Sequence, residues 1–119
     1  MKRSALLWIL LLAPLPLSAS NLYLDLRTNY DPRTDFRIIR VQCIDRRDER
    51  RSWNTVLAAA SSGDFVRGER IAEFENMDRG TYVCSVELLD RLMRPVHGRL
   101  WLVSKGDEAQ AATMLISRP

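Results

Sequence analysis

Apolar and polar positions alternate with a period of two along most of this chain. That is the pattern of strands with one face in a core and the other in solvent. It is clearest from Thr81 to Leu89, where Tyr82, Cys84, Val86 and Leu88 share one face and Thr81, Ser85 and Glu87 the other. Phe36 to Ile44 puts Ile39, Val41 and Cys43 on one face, with Arg40 and Gln42 opposite. Leu22-Tyr23-Leu24-Asp25-Leu26 alternates in the same way, and from Arg70 to Glu75 the expected inward residues are Ala72 and Phe74. Arg99 to Val103 and Ala111 to Ile116 supply two more strands. In the first of these, either Leu100 and Leu102 or Trp101 faces the core, because both parities carry apolar residues. Trp53 to Ala60 is apolar, but its alanines leave strand and short helix both open. Pro95 fits only an edge or a strand end, since it donates no ladder hydrogen bond.

Turn residues separate these runs: Asn29-Tyr30-Asp31-Pro32, Ser61-Ser62-Gly63-Asp64, Asn76 to Gly80, Asp90-Arg91 and Lys105-Gly106-Asp107. The mixed-sign run Asp45 to Ser52 reads as a solvated hairpin tip. About seven short strands without an amphipathic helix predict one seven-stranded, antiparallel, two-sheet β-sandwich over residues 21–119.

The first twenty residues do not belong to that pattern. Lys2 and Arg3 precede the unbroken apolar run Ala5 to Leu12, Pro14 and Pro16 end it, and Leu17-Ser18-Ala19-Ser20 supplies small residues. This is the layout of a cleaved export signal, and it is shorter than the ~20 apolar residues needed to cross a bilayer. Residues 1–20 are therefore expected to be removed by cleavage after Ser20, which puts Ser18 and Ser20 at the two small-residue positions; cleavage after Ala19 is nearly as good. The mature protein is expected in the periplasm or outside the cell, with no membrane span. Removing the signal also changes the charge. The chain has 18 basic and 15 acidic residues, and Lys2 and Arg3 leave with the signal. The near-neutral remainder argues against nucleic acid as a partner.

Two cysteines, Cys43 and Cys84, in an exported chain of this size point to one disulfide. It would close a loop of ~40 residues and stabilise by ~4 kcal/mol on the chain-entropy argument.

The segment Asp78-Arg79-Gly80-Thr81-Tyr82-Val83-Cys84 resembles the corner and following strand of immunoglobulin-like domains. The resemblance implies that Tyr82 closes the corner with its hydroxyl, that Asp78 and Gly80 shape it, and that Trp53 packs on the disulfide. It also makes Cys43 the strand B cysteine. Both cysteines fall on the apolar faces of their strands, as a buried disulfide between facing strands requires. Phe74 to Tyr82 is similar to a segment of transthyretin-like and carboxypeptidase-regulatory-like bacterial sandwiches. Sandwiches host many functions, so the resemblance implies an architecture and not an activity.

No catalytic constellation stands out. His97 is the one histidine, and no G-x-S-x-G element accompanies it. One histidine and two paired cysteines do not make a zinc site. The acidic residues read as solvated faces, and residues 29–35 as a turn rather than a calcium loop. No cofactor or metal is expected. The expected role is a non-enzymatic binding or structural module of the cell envelope with a protein or envelope partner. Phe65, Trp101 and Tyr30 are the candidate contact aromatics. Two alternatives are an enzyme inhibitor or accessory subunit using loop 45–52 or 61–68, and a copper carrier using Met93 and His97, with Met77 as a further thioether candidate.

Overall fold

The computed structural model describes residues 20–119. The expected export signal lies outside the described residues, except for Ser20. Seven strands follow in chain order: β1 (Ser20–Thr28), β2 (Ile38–Asp45), β3 (Asp48–Ala58), β4 (Glu69–Met77), β5 (Gly80–Leu89), β6 (Pro95–Lys105) and β7 (Gln110–Ile116). There is no helix among the described residues. The strands form a three-stranded sheet in the order β4-β1-β7 and a four-stranded sheet in the order β3-β2-β5-β6.

The two sheets enclose one core. Leu22, Leu24 and Leu26 of β1 face Ile39, Val41 and Cys43 of β2 and Tyr82, Cys84, Val86 and Leu88 of β5, all within one buried cluster. The alternation along β1, β2 and β5 is the cause: each strand has one apolar face, and stacking the sheets removes both apolar faces from water. Ala72 and Phe74 of β4 are buried as expected, and Ile71 joins them. A register shift between Leu24 and Asp25 in the β1–β4 pairing accompanies this break in alternation.

One strand pair departs from the antiparallel expectation. β7 runs parallel to β1, from Leu22 opposite Gln110 to Thr28 opposite Ile116. Connectivity is the reason. β6 ends beside the start of β5, with Lys105 opposite Gly80. Residues 106–109 cross from there to the other sheet, so β7 enters at the end where β1 begins.

The charged run is shorter as a turn than its composition suggests. Asp45 pairs with Asp48, so the tip is Arg46-Arg47, and Asp48 to Ser52 already lies in β3. The helix alternative for residues 53–60 is not realised. Trp53, Thr55 and Leu57 face inward opposite Cys43, Val41 and Ile39.

The cysteines are bonded, but not across the sheets. Cys43 and Cys84 are register partners on adjacent strands of the four-stranded sheet. The expectation of facing strands is corrected here: β2 and β5 are hydrogen-bonded neighbours, and an antiparallel pair brings opposite side chains on one face close together.

Candidate functional site

The corner before β5 is built as the sequence suggests. The Tyr82 hydroxyl donates to the Asp78 carbonyl oxygen at 2.7 Å. Trp53 meets Tyr82 edge-on, with ring centroids 5.6 Å apart, and its indole N–H donates to the Glu75 carbonyl oxygen across the sandwich. A side chain at Gly80 would meet the Arg47 guanidinium at 2.7 Å, so glycine leaves room for that arm. The Asp45 carboxylate is buried beside the corner and accepts from the Arg47 side chain at 3.1 and 3.2 Å and its backbone N–H at 2.9 Å. Arg51 bridges Asp45 and Asp78. The Arg47 side-chain hydrogen bond holds the Asp45 carboxyl below its ordinary pKa, against the opposing effect of burial. This network had no sequence signal beyond the charge run itself. It ties the β2–β3 hairpin to the β4–β5 corner, and its groups are engaged with one another.

The candidate contact aromatics are placed differently from expectation. Phe65 is only 5% exposed. Its ring packs edge-on against Phe36 at 5.7 Å, because the Thr28 N–H donates to the Phe65 carbonyl and draws the loop over the end of the core. Tyr30 is buried as well. Its ring is stacked on His97 at 3.8 Å, with the Arg118 guanidinium over it at 4.9 Å. Neither Phe65 nor Tyr30 is an exposed contact residue. Trp101 is half-buried against the core, with the Arg99 guanidinium 5.4 Å from its ring.

The residues proposed for copper are not gathered. His97 faces inward against Tyr30, opposite Leu88. Met93 is exposed in the turn held by its N–H to the Asp90 carbonyl. Met77 is fully buried at the opposite end of the strands. Among the described residues no group of three His, Cys, Asp or Glu side chains is arranged to hold a metal ion.

Trp101 inward means Leu100 and Leu102 outward. They are 66% and 65% exposed, among the largest apolar exposures on the molecule. The ladder extends the patch, since Leu102 is opposite Val83, which is opposite Ile44, all on the outer face. Beside Leu100 lies a shallow depression of about 500 Å³ lined by Ser85, Glu87, Gly98, Arg99 and Leu100. The missing side chain of Gly98 opens it, and the Arg40–Glu87 ion pair at 2.7 Å bounds it. Among the described residues β6 is also the outermost strand of its sheet, paired in the ladder with β5 alone. The Gln110 side-chain amide covers the Ser104 carbonyl at one end of that edge. The outer face of the other sheet differs: there Arg70 pairs with Asp25 at 2.6 Å and covers Tyr23. The apolar row was not singled out from sequence, because it needed the parity of β6. Pairing Cys84 with Trp101 fixes that parity.

No protein-family model and no curated protein matches this chain. Among solved structures, a leucine-rich repeat protein from Bacteroides thetaiotaomicron is similar at a TM-score of 0.48 and 14% identity. The match covers 83% of this chain and 12% of that one. This chain thus spans about one eighth of that protein's length, and a likeness this distant carries no functional argument.

Proposed function

We propose that this protein is an exported binding module of the cell envelope, periplasmic or secreted, acting by recognition rather than catalysis. What supports export is the layout of residues 1–20, together with a buried disulfide, which persists in oxidising compartments. What supports an immunoglobulin-like reading is the Tyr82–Asp78 corner, while the disulfide within one sheet is its departure from that pattern.

The observation that carries the binding reading is the edge strand β6, with Leu100 and Leu102 exposed on its outer face and one side of its backbone without a strand partner among the described residues. The partner of best fit is an extended protein segment. It adds a strand beside β6 through main-chain hydrogen bonds and sets alternate apolar side chains against Leu100 and Leu102. Long apolar edges invite such pairing.

The test places a photo-crosslinking amino acid at Leu102 of the full chain in its native host. The expected adduct maps to an extended segment of one envelope protein, and it disappears with Leu100→Arg while persisting with Asn54→Arg on the opposite edge strand. An adduct insensitive to Leu100→Arg, or no adduct in cells that express the protein, overturns β6 as the site.

A further inference from the structure

The end of the sandwich where β1 begins holds a buried ammonium group. Lys105 closes β6 and is 3% exposed. Its Nζ donates to the Ser20 Oγ at 2.5 Å and to the carbonyl oxygens of Gly106 and Glu108, each at 3.0 Å. An ammonium has three donors, and these three oxygens satisfy them. Burial lowers the Lys105 pKa, so the charged form depends on such ligands. The Ser20 hydroxyl is used twice, since it also donates to the Asp107 carbonyl at 2.9 Å. Ser20 further pairs with Met77 in the β1–β4 ladder.

Ser20 is therefore part of the folded domain, one residue before the start expected from the small-residue pattern. That pattern leaves two bonds open to signal cleavage, one after Ala19 and one after Ser20. The fold separates them. Cleavage after Ser20 removes one of the three oxygens that a buried ammonium needs, and an unmet buried donor is costly. Cleavage one bond earlier keeps it.

We propose that the precursor is cleaved between Ala19 and Ser20, so that Ser20 is the mature N-terminus and its hydroxyl completes the oxygen shell of Lys105. The step is hydrolysis of that peptide bond by a signal peptidase of the envelope. Water adds across the C–N bond, leaving a carboxylate on Ala19 and an amine on Ser20 that takes up the released proton. The proposal rests on the export reading given above.

The test expresses the full precursor, Met1 to Pro119, in a secreting bacterium and determines the N-terminus of the product by intact mass and N-terminal sequencing. The expected first residue is Ser20. A first residue of Asn21, or any other exported start, overturns the proposal and leaves export standing. An uncleaved chain retained in the cytoplasm overturns both. The exported protein then gives a second measurement. Ser20→Ala is expected to move the urea midpoint downward, and to move it much less when Lys105→Met is already present. Equal shifts in the two backgrounds would remove the hydrogen bond as the reason for retaining Ser20.

Discussion

The two edge strands of the four-stranded sheet are fastened alike and finished differently. On β3 the Trp53 indole N–H reaches the Glu75 carbonyl of β4. On β6 the Arg99 guanidinium reaches the Leu115 carbonyl of β7 at 3.0 Å. Each is an inward side chain of one sheet bonded to the backbone of the other, and each seals one side of the sandwich. The outer rows then diverge. β3 presents Ser52 and Asn54 where β6 presents Leu102 and Leu100, on the same two rungs of the sheet. The charges of β6, Arg99 and Lys105, are turned inward and occupied there. They guard the seam between the sheets and leave the outer row apolar. Polar or charged side chains are the usual protection of an edge; on these two rungs β3 carries polar side chains and β6 carries leucines.

The largest expected effect tests whether both edges hang from one centre. Cys43→Ala with Cys84→Ala cuts the bond between the two middle strands and should lower stability by ~4 kcal/mol. Chemical denaturation would read the loss. A loss confined to one edge, seen as protection from amide exchange on β3 surviving unfolding of β6, would show that the edges are separate units. Phe65→Ala should cost ~3 kcal/mol, as for a large buried aromatic, and a near-neutral change would restore Phe65 as a surface residue.

Smaller effects sharpen the β3 side. Tyr82→Phe removes one hydrogen bond next to Trp53 and should cost ~1 kcal/mol. An unchanged denaturation midpoint would mean that the corner does not depend on the hydroxyl. Asp45 adds a pH dependence with a defined sign. Its folded pKa lies below the ordinary 3.8, chiefly through the Arg47 side chain. The stability it contributes is thus complete above the ordinary value and is lost as pH falls through the lowered one. Asp45→Asn should flatten the stability profile in that acid window and leave its shape near neutrality unchanged.

The smallest effect on stability carries the most information about function. Leu100→Ser with Leu102→Ser should change stability by less than ~0.5 kcal/mol, as at ordinary surface sites, while reducing partner capture. The reverse exchange, Ser52→Leu with Asn54→Leu, should make the β3 edge adhesive, which light scattering would detect. If neither exchange changes association, the contrast between the edges has no binding consequence.

The fold was more legible in the sequence than the site, for a physical reason. Strands such as β1, β2 and β5 carry their burial in their own alternation, so Leu24, Val41 and Val86 announce which way they face. The Tyr82 corner is local too, since hydroxyl and carbonyl are four residues apart. Features that depend on pairing were not readable. Leu100, Trp101 and Leu102 are all apolar, and only the partnership of Trp101 with Cys84 decides which of them is wet. Phe65 and Tyr30 sit in turn-rich segments that usually lie at the surface. Contacts with Phe36 and His97, distant in sequence, draw them in. The placement of Cys43 beside Cys84 in one sheet followed from strand order, which alternation does not encode.

The parallel pairing of β1 with β7 has a mechanical meaning. β1 starts at one end of the sandwich and β7 finishes at the other, with the two strands side by side over seven register pairs. A pull applied between the front of β1 and the back of β7 runs along both strands in opposite directions. It loads the whole ladder in shear instead of peeling it rung by rung, so extension must break many hydrogen bonds together.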